Sequence, residues 1–177
     1  MVIIPDRNQA IQQEAFESNK KDHMSIARRE TEISVRIGEE PHKASATTVI
    51  ARYPDLEVIT MRSYCNRDGV VLLLVTTNAV KTSQVLKATG FQCEVSPVVL
   101  IGPINRSGWA ASLGAEIANA GIEVLYSYTS RKDRDRHYLV FKTSDDDRAI
   151  QVLTTGPVFQ SLTGSNSPQD REMAIAD

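Results

Sequence analysis

The sequence predicts an α+β fold made of two tandem βαββαβ units. Each unit has an antiparallel four-stranded sheet with two helices on one face. Three observations lead to this prediction: the order of strand-like and helix-like segments, the return of that order about 65 residues later, and polar turn residues between the segments. A length of 177 residues is enough for two small units of this kind.

The first unit is expected over residues 32–96. Alternating apolar and β-branched residues predict strands, Asp68-Gly69 is a hairpin signal, and Asn78 and Gly90 are suitable first and last residues for a helix. In chain order the segments are strand "EISVRI", helix "PHKASATTVIARY", strand "LEVITMRSYC", turn "NRDG", strand "VVLLLVTT", helix "NAVKTSQVLKATG" and strand "FQCEV".

The second unit is expected over residues 97–162. Gly121 ends its first helix, and Ser144 caps a second helix whose first turn holds three acids, which the helix dipole favours. Its segments are strand "PVVLIGPI", helix "RSGWAASLGAEIANAG", strand "IEVLYSYTS", turn "RKDRDR", strand "HYLVFKT", helix "SDDDRAIQVLTTG" and a short last strand "PVFQS".

The two units form an internal repeat. Ile33 matches Val98 at an offset of 65 residues, and after the hairpin Asn78 matches Asp145 at an offset of 67. One unit of about 65 residues has only a marginal core, and its sheet leaves one face and two edges open. We therefore expect two ferredoxin-like units that pack together as a pseudo-dimer.

The two ends of the chain are polar. Residues 1–31 are expected to form an exposed helix or a mobile arm, because their apolar stripe is thin. Residues 163–177 carry Gly, Ser and Pro among polar side chains and are expected to be disordered.

Composition argues against several functional classes. The formal net charge of −2 gives no support to nucleic-acid or membrane-surface binding, and apolar runs of about six residues are too short for a membrane span. The N-terminus does not resemble a signal peptide, so a cytoplasmic location is expected. Cys65 and Cys93 lack CxxC partners and the three histidines are scattered, so we expect no metal site and two reduced, buried thiols.

Asn105, Arg106, Ser107 and Gly108 form a polar turn where a helix begins. Free N–H groups at a helix start suit a carboxylate, and glycine permits close approach to the backbone, so the turn can be a ligand loop. It can equally be a helix cap and tight turn. Trp109 can wall a pocket or anchor a core or an interface.

Other polar groups have simpler explanations. The tip 131–137 suits a phosphate or an acidic partner less well than a solvated turn, and the three acids at 145–147 suit a helix start better than a cation. No nucleophile and base can be paired, and there is no glycine-rich phosphate loop. We therefore expect neither an enzyme nor a cofactor.

The second unit resembles an ACT domain. Asn105-Arg106-Ser107-Gly108-Trp109-Ala110-Ala111 matches the family's Asp/Asn-Arg-Pro-Gly-x-Leu-Ala motif, with serine in place of proline, and Ala120-Gly121-Ile122-Glu123-Val124 matches its Ala-Gly-Ile-Asn-Ile motif. The first unit is similar through the repeat and has Lys43 in place of the glycine. "DDDRAIQVL" is similar to the family's late helix.

The resemblance implies a regulatory module that binds a small molecule, often an amino acid, and pairs side by side through strand-two edges. It implies ligand contacts from the turn and its tryptophan, and from the second strand, namely Asn105, Arg106, Ser107, Gly108, Trp109, Ile122, Glu123 and Val124. The strand contacts can equally come from the repeat matches of the last three residues in the first unit. The expected partners are a second copy of the chain and a separate enzyme or regulator. The alternative is a ligand-free structural module that oligomerises through the same edges.

Overall fold

The computed structural model describes residues 26–37, 45–67, 69–104, 109–131, 137–158 and 161. They form six strands and four main helices. In chain order these are β1 (Ile26–Ile37), α1 (Ala46–Ile50), β2 (Val58–Asn66), β3 (Gly69–Thr76), α2 (Ala79–Ala88), β4 (Gln92–Ile104), α3 (Trp109–Asn119), β5 (Val124–Arg131), β6 (His137–Thr143) and α4 (Asp146–Thr155).

All six strands belong to one antiparallel sheet in the order β2-β3-β1-β4-β6-β5. The long strands β1 and β4 lie at its centre and pair with each other from Ile26 opposite Gly102 to Arg36 opposite Gln92. Each has a second partner along only part of its length, β3 for β1 and β6 for β4. The predicted α+β fold with two repeated units is therefore confirmed.

The two units share their central strands. The second part of β1 is the first strand of unit one, and the start of β4 is its last strand. The rest of β4 is the first strand of unit two. The place of unit two's last strand is taken by the first part of β1, where Ile26 to Thr31 pair with Gly102 to Pro97.

This arrangement differs from two sequence predictions. The sequence predicts that residues up to 31 lie outside the first unit, and that "PVFQS" is the last strand of the second. Residues 26–31 are strand, and Pro157 and Val158 of "PVFQS" are helical. Ala27 is only 4% exposed and packs in the core of unit two, so tertiary contacts override the weak helical pattern. Since β1 occupies the place beside β4, "PVFQS" has no position there as a strand.

Helix boundaries follow local capping. The Asn78 carboxamide accepts a bond from the Lys81 amide, as expected for a cap of α2. In α4 the cap is Asp145 rather than the predicted Ser144. Ser144 instead pairs with Glu123, because its hydroxyl accepts from the Glu123 amide at 3.1 Å and its own amide donates to the Glu123 carbonyl at 3.0 Å.

Apolar side chains form three clusters. Two lie between the sheet and the helices, one in each unit, and include Leu86 in unit one and Leu113 in unit two. The third lies on the opposite face of the sheet and joins strands of both units through residues such as Leu73 and Val140. That face is concave, because the sheet curls until its edge strands meet.

Contacts between the two edge strands close the curl. The Thr60 and Tyr128 hydroxyls are 3.4 Å apart, and the Met61 amide donates to the Ser130 hydroxyl at 3.4 Å. Both cysteines are free. Cys93 is buried as expected, but Cys65 is exposed, because it lies on edge strand β2. No described helix is long and apolar enough to cross a membrane.

Candidate functional site

The predicted turn lies largely outside the described residues, which leave out Asn105, Arg106, Ser107 and Gly108. Trp109 is the first residue of α3. Its side chain is only 7% exposed and belongs to the apolar core of unit two. The Trp109 indole therefore faces the core of unit two.

The predicted strand-two residues lie just before and at the start of β5. Ile122 is 3% exposed and packs in the same core as Trp109. Val124 is half-buried and begins β5. Glu123 has an exposed side chain, and its backbone amide and carbonyl are both bonded to Ser144. The backbone amide and carbonyl of Glu123 are therefore already paired within the protein.

A second polar site, which the sequence did not reveal, lies on the concave face of the sheet. Glu32 of β1 is fully buried there. The Tyr126 hydroxyl donates to its Oε1 at 2.5 Å, and the Tyr128 hydroxyl donates to its Oε2 at 2.7 Å. With Thr60, which contacts Tyr128, these residues are called the Glu32 cluster. The cluster connects β1 and β2 of unit one to β5 of unit two.

The two phenols supply the donors that a buried carboxylate needs. Burial of a charged carboxylate is very unfavourable unless hydrogen bonds replace its lost water. Within the described part of the chain, Glu32 has no ion-pair partner. The two phenol hydroxyls therefore replace the hydrogen bonds that its carboxylate loses on leaving water. Burial, and secondly the hydrogen bond to Glu32, raises the pKa of Tyr126. Burial, and secondly the charge of Glu32, raises the pKa of Tyr128.

An open cavity of about 620 Å³ lies beside the Glu32 cluster, in the gap between edge strands β2 and β5. We call it the inter-edge cavity. Arg62 is the sole charged residue among the described residues that line it, and the others provide hydroxyl, aromatic and apolar groups. The complete lining is Ser34, Arg62, Tyr64, Leu73, Ala110, Tyr126, Ser127, Tyr128, Thr129 and Leu139.

A second cavity of about 470 Å³ adjoins the first and shares Ser34 and Tyr64 with it. Its lining includes Arg36, Lys87 and Glu94. The described linings of the two cavities together provide hydroxyls, basic groups and one exposed carboxylate.

One feature of the sequence is compatible with this site but does not identify it. Glu32, Ser34 and Arg36 alternate with apolar residues in β1, which predicts one polar face on the strand. Such a face normally meets solvent. The sequence does not show that the sheet curls, and Glu32 is separated from Tyr126 and Tyr128 by 94 and 96 residues.

No protein-family model and no curated protein matches the chain. Solved structures do. Protein BT0572 from Bacteroides thetaiotaomicron is 20% identical, with a TM-score of 0.59 over 73% of this chain and 88% of that one. The regulatory subunit of aspartate kinase from Thermus thermophilus is 11% identical, with a TM-score of 0.51 over 71% of this chain and 93% of that one.

A third similar structure is described as aspartokinase alpha and beta subunits. It is 16% identical, with a TM-score of 0.50 over 73% of this chain and 95% of that one. The regulatory subunits of aspartate kinase are ACT-domain proteins. At these identities the likeness concerns the fold. The chain has the fold of a tandem pair of ACT domains.

Proposed function

We propose that this protein is a non-catalytic, cytoplasmic regulatory protein. It binds an amino acid or a similar small metabolite between its two ACT-like units, residues 32–96 and 97–162, and signals occupancy to a separate enzyme or regulator. The observation that carries the proposal is the inter-edge cavity, which lies between strands of different units in a fold shared with regulatory subunits of aspartate kinase.

The size and position of the cavity support this function. Small-molecule sites typically have volumes of about 300–1,000 Å³ and combine apolar walls with a few polar groups. The inter-edge cavity fits that description, with Leu73 and tyrosine rings beside Arg62 and several hydroxyls. Because β2 and β5 belong to different units, a ligand between them makes contacts whose strength depends on how the units are arranged.

A thermal-shift screen against the twenty amino acids tests the proposal. A ligand that binds only the folded protein stabilises it by RT ln(1 + [L]/Kd), about 2.7 kcal/mol when its concentration is 100 times Kd. We expect one amino acid, or a group of related ones, to raise Tm at millimolar concentration. If none of the twenty changes Tm, the amino-acid function is contradicted.

A ligand-free interaction module is the second candidate. The observation that favours it is exposed apolar surface on the edge strands, where Met61 is 46%, Tyr64 47% and Leu125 54% exposed. Edge strands with such side chains favour pairing with another chain, which gives a homodimer.

Light scattering after size exclusion tests this candidate. The module predicts a dimer, which Leu125→Lys at the exposed β5 position shifts towards monomer because the charge opposes strand pairing. Val80→Lys, at a 70% exposed position on α2, is the matched control and should leave the molar mass of the assembly unchanged. A wild-type protein that is monomeric at all concentrations contradicts the module.

A further inference from the structure

We propose that the inter-edge cavity binds its ligand as a zwitterion, with the ligand's carboxylate on Arg62 and its ammonium group beside Tyr126 of the Glu32 cluster. This inference rests on the proposed function and deepens it, because it places the ligand on the concave face of the sheet. The turn at 105–108 is then not the ligand site.

Arg62 supplies the anionic end of the site. It lies on the concave face of β2, opposite Leu73 of β3, and it lines the cavity. Its side chain is exposed and forms no ion pair with another described residue. A guanidinium group presents a planar fork of donors that matches a carboxylate in a bidentate way.

The Glu32 cluster supplies the cationic end. Both phenol protons point to the carboxylate, so each phenol oxygen acts as an acceptor for other groups. The Tyr128 oxygen accepts from the Thr60 hydroxyl at 3.4 Å, and Tyr126 is hydrogen-bonded by the Ser96 side chain. Tyr126 is 38% exposed and lines the cavity, whereas Glu32 is fully buried behind it. An ammonium group at the Tyr126 oxygen shares that acceptor with Ser96 and lies near a buried negative charge that has no cationic partner among the described residues.

The remaining walls of the cavity indicate which type of side chain the ligand has. Leu73 and the rings of Tyr64 and Tyr126 provide apolar and aromatic surface. Volume is not limiting, at about 620 Å³. The site therefore favours an α-amino acid with an apolar or aromatic side chain over one with a charged side chain, since a second charge has no partner of opposite sign within the described lining.

Three matched arginine variants locate the site. The amino acid that stabilises the wild type most in the twenty-member screen is titrated by calorimetry against Arg62→Gln, Arg106→Gln and Arg52→Gln. Arg62→Gln removes the charge at the cavity, Arg106→Gln removes it at the predicted turn, and Arg52→Gln removes it at an exposed position beyond α1. We expect Arg62→Gln to raise Kd about 10- to 100-fold and the other two to change it less than about twofold.

Analogues of the same amino acid test both ends in the wild type, independently of any variant's folding. The amine that lacks the carboxylate and the N-acetyl derivative that lacks the ammonium group should each bind at least about tenfold more weakly. If the amine binds wild type as tightly as the amino acid does, the contact with Arg62 is contradicted.

The possible failures are distinguishable. If Arg106→Gln weakens binding and Arg62→Gln does not, the zwitterion site is overturned while the proposed amino-acid function stands. If no amino acid stabilises the wild-type protein, the proposed function fails, and this inference fails with it.

Discussion

Glu32 occupies a position in β1 that an alternating strand normally presents to solvent, and the curl of the sheet buries it completely. Its two carboxylate oxygens each accept one hydroxyl bond from β5. Removing the carboxylate leaves the buried Tyr128 phenol and the partly exposed Tyr126 phenol without their acceptor, and it leaves a void. Such losses are among the few mechanisms by which one substitution strongly destabilises a protein.

Glu32→Ala is therefore expected to lower the free energy of unfolding by about 2–4 kcal/mol. Glu94→Ala is the matched control, since Glu94 lies on the same face of the neighbouring strand β4 but is exposed. The control should change stability by less than about 0.5 kcal/mol. Chemical denaturation measures both. Equal effects of the two substitutions would contradict a structural role for the Glu32 cluster.

The two tyrosines make stability depend on alkaline pH. In the unfolded chain each phenol ionises near pH 10, whereas the folded protein raises the pKa of both Tyr126 and Tyr128. Above about pH 10 the folded state therefore binds more protons than the unfolded state, so stability falls as pH rises. Below that pH both phenols are protonated in either state, and their contribution to stability is fully present and independent of pH.

Unfolding measured between about pH 8 and pH 11 should show this decline for the wild type. The Tyr126→Phe/Tyr128→Phe double variant should show a shallower one, because it has no phenols to ionise there. Tyr53→Phe, on the helical side of unit one, is the control and retains the wild-type slope. A double variant with an unchanged slope would show that these pKa shifts do not contribute.

At the scale of elements, β1 is the strand on which both units depend. Glu32 to Ile37 pair with β3 in unit one, and Ile26 to Thr31 pair with β4 of unit two. The buried side chain of Ala27 faces the core beneath α3 and α4. Unit two therefore lacks a complete sheet unless the chain before residue 32 contributes a strand.

Ala27→Asp places an unpaired charge in the core of unit two and is expected to destabilise it by about 3 kcal/mol or more. Hydrogen exchange should show α3 and α4 losing protection before α2. Arg29→Ala, two residues along the same strand, removes only an exposed ion pair with Asp147 and should change stability by less than about 1 kcal/mol. Loss of protection that begins in α2 would contradict the shared-strand arrangement.

The sequence predicted these elements well where local signals agree with the fold. Asn78 and Gly90 correctly bound a helix, and the alternation in 32–37 correctly predicts a strand. It failed at residues 26–31 and at "PVFQS", because their structures depend on which segment fills one place beside β4. Pairing partners distant in the chain decide that outcome, and local propensity does not.

At the scale of the whole molecule, the curl of the sheet joins the two units a second time. The units are continuous through β1 and β4 at the centre of the sheet, and β2 and β5 meet again at its edges. Glu32, Tyr126 and Arg62 come together only through that curl, so the repeat could predict the units but not the site. The proposed ligand in the inter-edge cavity would contact both edges and so would stabilise one arrangement of them.

Nuclear magnetic resonance of the ¹⁵N-labelled protein, titrated with the amino acid that stabilises it most, tests the central claim most directly. Binding between the edge strands should shift the amide signals of β2 and β5 around Arg62 and Tyr126, with smaller changes around Ser34. Signals that shift only at residues 105–109, or that do not shift at saturating concentration, would contradict it.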